Sequence, residues 1–439
     1  MATPAKSRRA PGKTGGAPVL VIDRLAAGGD GVGRIGAKVA FVAQTAPGDE
    51  VEVEVCEERR TWCRARVVLL LKPGPERANP PCPSFGACGG CDWQHLTYSV
   101  QLAAKRSIVE DALRRIGRLD PPKIAPTLPS PLEFGYRHRA RLHTALQNGA
   151  ATFGFFRSGS HDVVPLRTCP VLHPALSAIL GVLAETGRRQ PPAFALCREV
   201  RVDTGWDGAA VRLLLRGAAG KLAGCPEAAA QAMRDSAAAC GLRLILNDTS
   251  GEPLALGPGP DALVTTGETF TQVNLRQNQA LVDLAIATAA PAAGEEVLDL
   301  CCGLGNLSLP AAARRARVTG VDLDELAISQ ARENARRLGR AATFVRDDAA
   351  AAVRALAGAG RRFPLVLLNP PRAGAREAVA AIPALSPARV VVVSCDPATL
   401  ARDAAALAAS GYVLRNAQPV DLFPQTAHVE TVALFRRDP

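Results

Sequence analysis

The stretch ARVVVVSCDPAT ends an apolar run on Ser-Cys-Asp-Pro, so Cys395 is a bare thiol at the carboxyl end of what reads as a buried strand. A thiolate placed there is a nucleophile. Three other patterns accompany it. Asp299-x-x-x-Gly303-x-Gly305-Asn306 follows an apolar strand and lacks the third glycine of a pyrophosphate loop, which suits S-adenosylmethionine (SAM) better than a dinucleotide. Asp322, 17 residues after Gly305, ends the next strand and is the acid expected at ribose hydroxyls; Asp348 ends the third and is expected to accept from the adenine amino group. Asn369 opens Asn-Pro-Pro-Arg at the end of a fourth strand, an amide beside a rigid turn.

A thiolate beside a methyl donor has a specific use. C5 of uracil is a poor nucleophile until a thiolate adds to C6 and turns the ring into an enolate, which takes the methyl group; a base then removes the C5 proton and the thiolate leaves. The rival chemistry is alkylation of an exocyclic nitrogen, for which Asn-Pro-Pro precedes an aromatic residue. Here Arg372 follows instead, and that rival leaves Cys395 without a purpose. A third reading is an RNA-binding protein with an inactive methyltransferase domain, against which the intact Cys395 stands.

The chain has 12 cysteines. Cys82, Cys88 and Cys91 lie at C-x5-C-x2-C spacing among Gly-Gly turns that let thiolates converge, a near relative of ferredoxin spacing. A fourth ligand is required. Cys169, followed by Pro like Cys82, is the best candidate, although spacing alone does not select it over Cys197. Only one Cys-x-x-Cys is present, which favours an iron-sulfur cluster over structural zinc. Cys56, Cys63, Cys197, Cys225 and Cys240 stand singly and read as small core fillers.

The elements that must position these residues fall into four segments of the 439-residue chain. Residues 1–18, rich in Pro, Gly and basic side chains, read as a disordered basic arm. Residues 19–72 alternate short β-branched runs with Gly-Asp-Gly and Pro-Gly-Asp turns, the pattern of a small OB-like barrel with Arg24, Arg34, Lys38, Arg59 and Arg60 available to nucleic acid. Residues 73–265 form a mixed α+β segment holding the cysteine cluster, with Arg137, Arg139, Arg141 and Arg157 striping a strand face. Residues 266–439 alternate strand and helix, a parallel doubly wound α/β sheet, whose ligands sit outside the carboxyl ends of its strands. Net charge is +11 and carried mainly by Arg, pointing to a polyanionic partner such as RNA. No run reaches the roughly 18 apolar residues of a membrane span. A cytoplasmic monomer with no membrane and no obligate protein partner is expected.

Taken together, CPSFGACGGC, GYRHRARL, FTQVNLRQNQ, LDLCCGLGN, LNPPRAG, SCDPATLARD and DLFPQTAHVET, in this order, resemble the bacterial 23S ribosomal RNA C5-methyluridine methyltransferases that carry a TRAM domain and an iron-sulfur cluster. The resemblance spans residues 19 to 439. It implies that residues 19–71 are the TRAM barrel and that Cys82, Cys88, Cys91 and Cys169 hold a [4Fe-4S] cluster. It implies that Gln272, Cys301, Gly303, Asn306, Asp322, Asp348 and Asn369 line a class I SAM site, that Cys395 is the nucleophile, and that Glu430 is the base for the C5 proton. Where the family usually has Asp, this chain has Asn369, so a carboxylate is missing there, while an amide oxygen still accepts a hydrogen bond. Related transfer RNA enzymes are expected to lack both barrel and cluster, which points to 23S ribosomal RNA.

Overall fold

The computed structural model describes residues 17–248 and 252–437. The stretch 1–18, expected to be a mobile arm, lies outside them except for its last two residues. By its contacts the chain divides into two compact units, one ending at Arg77 and the other running from Ala78 onward.

In the first unit six strands pair in the order Val19–Val21, Glu50–Glu58, Trp62–Lys72, Lys38–Val42, Gly31–Ile35, Arg24–Leu25. One N-terminal segment thus pairs at both ends of the sheet, Val19–Val21 with Glu50–Glu52 and Arg24–Leu25 with Gly31–Val32, which closes it into a barrel. Inward residues including Leu20, Ile22, Val42, Val51 and Val53 fill it. Asp49 fastens the rim. Its buried carboxylate accepts from the amides of Ala46 (2.6 Å) and Gly74 (2.8 Å) and pairs with Arg77 at 2.7 Å. Burial alone would raise this carboxyl, but Arg77 and the two amides outweigh burial and hold it below its usual range. The basic side chains expected to face nucleic acid are partly matched by the barrel's own acids, Lys38 by Glu58 and Arg59 by Glu57, while Arg34 and Arg60 remain exposed.

The second unit begins with the cysteine loop and the helix Tyr98–Arg115. A six-stranded sheet follows, in the order Arg243–Leu246, Ala210–Arg216, Glu199–Thr204, Arg139–Gln147, Ala150–Phe156, Val163–Pro165. Helices Pro174–Arg189 and Glu227–Ala239 bury one face of it. The expected arginine stripe is only half a stripe. Arg139 donates to the carbonyls of Thr269 (2.6 Å) and Gly267 (3.1 Å) and so staples the strand to the chain ahead of the C-terminal sheet; Arg141 and Arg157 are exposed.

The C-terminal sheet has seven strands, ordered Ala342–Arg346, Arg317–Asp322, Glu296–Leu300, Leu365–Leu368, Arg389–Ser394, Glu430–Arg437, Tyr412–Val420. Six run parallel, and Glu430–Arg437 alone runs antiparallel, between Arg389–Ser394 and Tyr412–Val420. Both faces are covered, which is why its strands are unbroken apolar runs: Val366 and Leu368 enter one core, Leu365 and Leu367 the other. The expected parallel sheet thus contains one reversed strand. This departure matters for the site, because a strand running antiparallel to Arg389–Ser394 begins where that strand ends. The helix Tyr98–Arg115 also contributes here, its Val109, Ala112 and Leu113 packing into the same core as Leu400, Ala401 and Ala404 of the helix Pro397–Ala409. No helix among the described residues is long and apolar enough to cross a membrane.

Candidate active site

The strand order reverses between Glu296–Leu300 and Leu365–Leu368, and the loops leaving those two strands carry the glycine motif and Asn369. The backbone turns sharply there. Cys301 is left-handed at φ 59°, followed by Gly303 at 55° and Gly305 at 98°. A Cβ on Gly303 would meet nothing within 4 Å, so that position opens outward, whereas one on Gly305 would strike Leu309 at 2.9 Å. Asp322 closes the loop: its carboxylate accepts from the amides of Gly303 (2.8 Å) and Asp324 (2.9 Å). Asp348 caps the helix Ala349–Gly358 through Oδ1, accepting from Ala350 (3.0 Å) and Ala351 (2.9 Å), and its Oδ2 takes no part in the cap. The backbone N–H of Asn369 donates to the carbonyl of Leu300 at 3.2 Å, which holds the two loops together.

Acids converge on this turn. Burial, then the carboxylates of Asp322, Asp299 and Asp348, push the Cys301 thiol up to about 12. Asp299 is fully buried and raised to about 7 by desolvation, against the hydroxyl of Ser308 that donates to it. Two expected site residues are placed less directly. Gln272 is buried just ahead of Asn274, the cap of the helix Leu275–Ala289. The Asn306 side chain exchanges two 3.0 Å hydrogen bonds with Asn278 on that helix, so its amide locks the glycine loop to the helix.

Cys395 lies one residue past Arg389–Ser394. Asp396 and Pro397 explain the abrupt end: Asp396 caps the next helix by accepting from Thr399 at 2.8 Å, and Pro397 occupies its first turn. The last antiparallel pair is Ser394 with Thr431, so the residues just beyond it, Cys395 and Glu430, come together at the sheet edge. Glu430 is 2% exposed, and its Oε2 has no hydrogen-bond partner among the described residues. Desolvation raises this carboxyl to about 7. Burial, then Glu430, push the Cys395 thiol up to about 11, and Arg372 opposes them.

Arg372 and His428 complete this corner, with Arg372 Nη2 3.4 Å from His428 Nδ1. Crowding by the surrounding chain, then Arg372, Lys105 and Arg137, hold His428 down at about 4 although part of the residue is exposed. The sequence reading gave neither a role, noting Arg372 only as the non-aromatic residue after Asn-Pro-Pro; the signal for both was position, directly after Asn-Pro-Pro and two residues before Glu430. It also missed what holds the 421–428 turn. Lys105 pairs with Asp421, both fully buried, and donates to the carbonyl of Phe423 at 3.0 Å. Gln101 and Gln425 exchange side-chain and backbone hydrogen bonds, and the amides of Asp92 and Trp93 both donate to the Gln425 carbonyl at 3.0 Å.

Cys82, Cys88, Cys91 and Cys169 line one cavity of about 100 Å³ with Phe85, Phe155 and Arg137. Burial pushes the Cys91 thiol up to about 12 and raises those of Cys88 and Cys169, to which the neighbouring thiols add. No three His, Cys, Asp or Glu among the described residues form a group that could hold a metal ion. Cys63 and Cys197 are buried as expected of core fillers, Cys225 is half-buried, and Cys56 and Cys240 are exposed.

The chain is similar to two family models: a TRAM domain over residues 18–68, and the tRNA (uracil-5-)-methyltransferase family over residues 264–438. It is 38% identical to a 23S rRNA (uracil(1939)-C(5))-methyltransferase of Azoarcus sp., over 96% of this chain and 100% of the relative. It is also 38% identical to the enzyme of the same description from Pseudomonas putida, over 95% and 93% of the two chains. Among solved structures, the fold matches a Pyrococcus abyssi tRNA (uracil-54, C5)-methyltransferase in complex with S-adenosyl-L-homocysteine, at a TM-score of 0.69 and 24% identity, over 94% of this chain and 99% of that one. That share is too large to leave out the barrel, so a barrel does not separate ribosomal from transfer RNA enzymes as the sequence reading supposed. With relatives this similar over their full length, the chain belongs to the RNA (uracil-C5)-methyltransferase family.

Proposed function

We propose that this protein methylates C5 of a uridine in 23S ribosomal RNA, the uridine that its relatives' names give as 1939, with SAM as the methyl donor. One observation carries the reading: an antiparallel strand brings the buried Glu430 beside Cys395 at the carboxyl edge of the sheet that also bears the acid-lined glycine loop. Asp322, Asp348 and Gly303 fit SAM, since the loop opens outward at Gly303 and Asp348 has one carboxylate oxygen outside its cap. Gln272, Cys301 and Asn369 belong to the same pocket, and Asn306 braces it. When bound there, SAM supplies an electrophilic methyl group.

Cys395 adds as thiolate to C6, and the C5–C6 π pair moves into the ring as an enolate, so that C5 becomes the nucleophile for the methyl group. Glu430 then takes the C5 proton, the C5–C6 double bond re-forms, and the C6–S bond breaks to return the thiolate. Burial keeps Cys395 and Glu430 from both being charged with ease. Carbon–sulfur bond formation removes the negative charge from Cys395 and so favours ionisation of Glu430 when the base is needed. Arg372, the cation that opposes the rise of the Cys395 thiol, favours the thiolate.

Four thiols lining one cavity suit a [4Fe-4S] cluster, which binds four thiolates through different irons, and the single Cys-x-x-Cys favours it over zinc. Bound there it would cross-link Cys82, Cys88 and Cys91 to Cys169. With four protein ligands it has no open iron, so its part is structural. RNA as substrate places the protein in the cytoplasm.

The test is mass mapping of methyluridine in 23S ribosomal RNA from a strain lacking the protein, with purified protein added back. Loss and restoration of C5-methyluridine is expected; methyl on an exocyclic nitrogen, or no change, overturns the reading. Anaerobically purified protein is expected to be brown, with iron and inorganic sulfide in equal amounts. Colourless protein holding one zinc would overturn the cluster.

A further inference from the structure

The sheet of the central segment has two unlike faces. Its covered face buries Leu142, Phe153, Val200 and Leu213 against helices. On the other, register sets Arg141 opposite Arg201, and His143 opposite both Glu199 and Gly154. Gly154 offers no side chain, and a Cβ there would meet the Val164 carbonyl at 1.8 Å. The ring of Phe156 lies two residues on and on the same face. It stacks on His143 with centroids 3.6 Å apart and planes 11° from parallel, and His161 meets it edge-on at 5.2 Å.

Charge beside this ring pair is unbalanced. Glu199 lies between Arg141 at 3.3 Å and Arg201 at 2.7 Å, one carboxylate for two guanidiniums, and 60% of the Arg141 side chain is exposed. Arg157, directly after Phe156, is exposed too. The pair is also anchored: Phe155 points the other way into the wall of the four-thiol cavity, and the amide of Gly89, between two of those thiols, donates to the Phe156 carbonyl at 2.9 Å. A half-buried ring pair on a sheet face that is covered only at its Arg212–Leu214 end, with an adjoining excess cation, matches one nucleotide, its base stacked and its phosphate paired.

We propose that this face is a platform for single-stranded RNA, on which an unpaired base of the substrate stacks on the His143–Phe156 ring pair while its phosphate completes the Arg141–Glu199–Arg201 cluster. The stacked base is not the one methylated. His138, directly before the same strand, donates its backbone N–H to the Val273 carbonyl beside Gln272, and His143 lies five residues further on, roughly 17 Å along an extended strand. The platform rests on the RNA reading above and adds a second point of substrate recognition to it.

The test uses the full chain, a single-stranded 23S rRNA fragment containing the target uridine, and S-adenosylhomocysteine as a probe of the pocket. Phe156→Leu is expected to weaken RNA binding about 5-fold or more, with unchanged salt dependence and unchanged S-adenosylhomocysteine affinity; Phe156→Trp keeps the ring and is expected to keep the affinity. Arg141→Gln is expected to lower the slope of log affinity against log salt by about 0.7. Wild-type RNA affinity in Phe156→Leu, or RNA and S-adenosylhomocysteine affinity lost together in both Phe156 variants with an unchanged slope in Arg141→Gln, overturns the platform and leaves the ring pair a sheet contact. Wild-type protein that neither binds nor methylates the fragment overturns the RNA reading itself, a failure distinct from these.

Discussion

At the scale of single residues, Cys395 and Glu430 act at different times, so their variants fail differently. Cys395→Ala is expected to bind RNA and S-adenosylhomocysteine yet give neither product nor covalent adduct, as read by denaturing gel. Glu430→Gln is expected to add and methylate but to release product about 10²–10⁴-fold more slowly, accumulating an adduct that carries the methyl group. Glu430 takes a proton only when ionised, and desolvation holds it at about 7. Product release in the wild type should therefore rise with pH through about 7 and level off above, and pH-resolved single-turnover kinetics reads this directly. A limb of the same midpoint persisting in Glu430→Gln would assign it to another group. The sign for stability is opposite. A carboxyl raised from 4.5 stabilises the fold fully below that value, and this contribution is lost as pH rises through about 7.

At the scale of elements, the helix Tyr98–Arg115 governs the turn that delivers Glu430. Lys105 is fully buried, and desolvation, only partly offset by Asp421, lowers its ammonium from the ordinary lysine range. Lys105→Ala leaves the Asp421 carboxylate buried without its cation and is expected to cost about 3–5 kcal/mol, whereas Lys105→Met with Asp421→Leu should recover most of it. Urea unfolding followed by loss of S-adenosylhomocysteine binding measures both. None of this was legible in the sequence, because the partners of Gln101 and Lys105 lie more than 300 residues away. What was legible is local: the acid closing each strand, the bare glycine loop, and Cys395 before an Asp-Pro helix start. Glu430 became readable only through family resemblance, since the antiparallel pairing that carries it to Cys395 leaves no spacing signal. Arg139 and Asn306 show the same limit, an exposed-looking cation and a presumed ligand contact that tertiary packing turned into a staple and a brace.

At the scale of the whole molecule, the two units have separate cores, and both are expected to hold RNA. The barrel's core is built only from its own strands, and the S-adenosylmethionine pocket proposed here lies entirely in the second unit. Removing residues 1–72 should therefore leave S-adenosylhomocysteine affinity unchanged within twofold while weakening RNA binding. The salt dependence says how. Each Arg or Lys that contacts a phosphate on a single strand contributes roughly −0.7 to the slope of log affinity against log salt. Arg59 and Lys38 are already paired with barrel glutamates, so far fewer contacts are expected from the barrel than its basic residues would allow, with exposed Arg34 and Arg60 first among them. Measured against a chain already lacking residues 1–18, a loss of roughly one to two units of slope fits those two cations; a loss of about three adds Lys38 and Arg59 to them and means that the Glu57 and Glu58 pairs open on RNA. An unchanged slope with unchanged affinity would remove the barrel from RNA recognition and assign the chain's net charge of +11 to contacts made by the second unit.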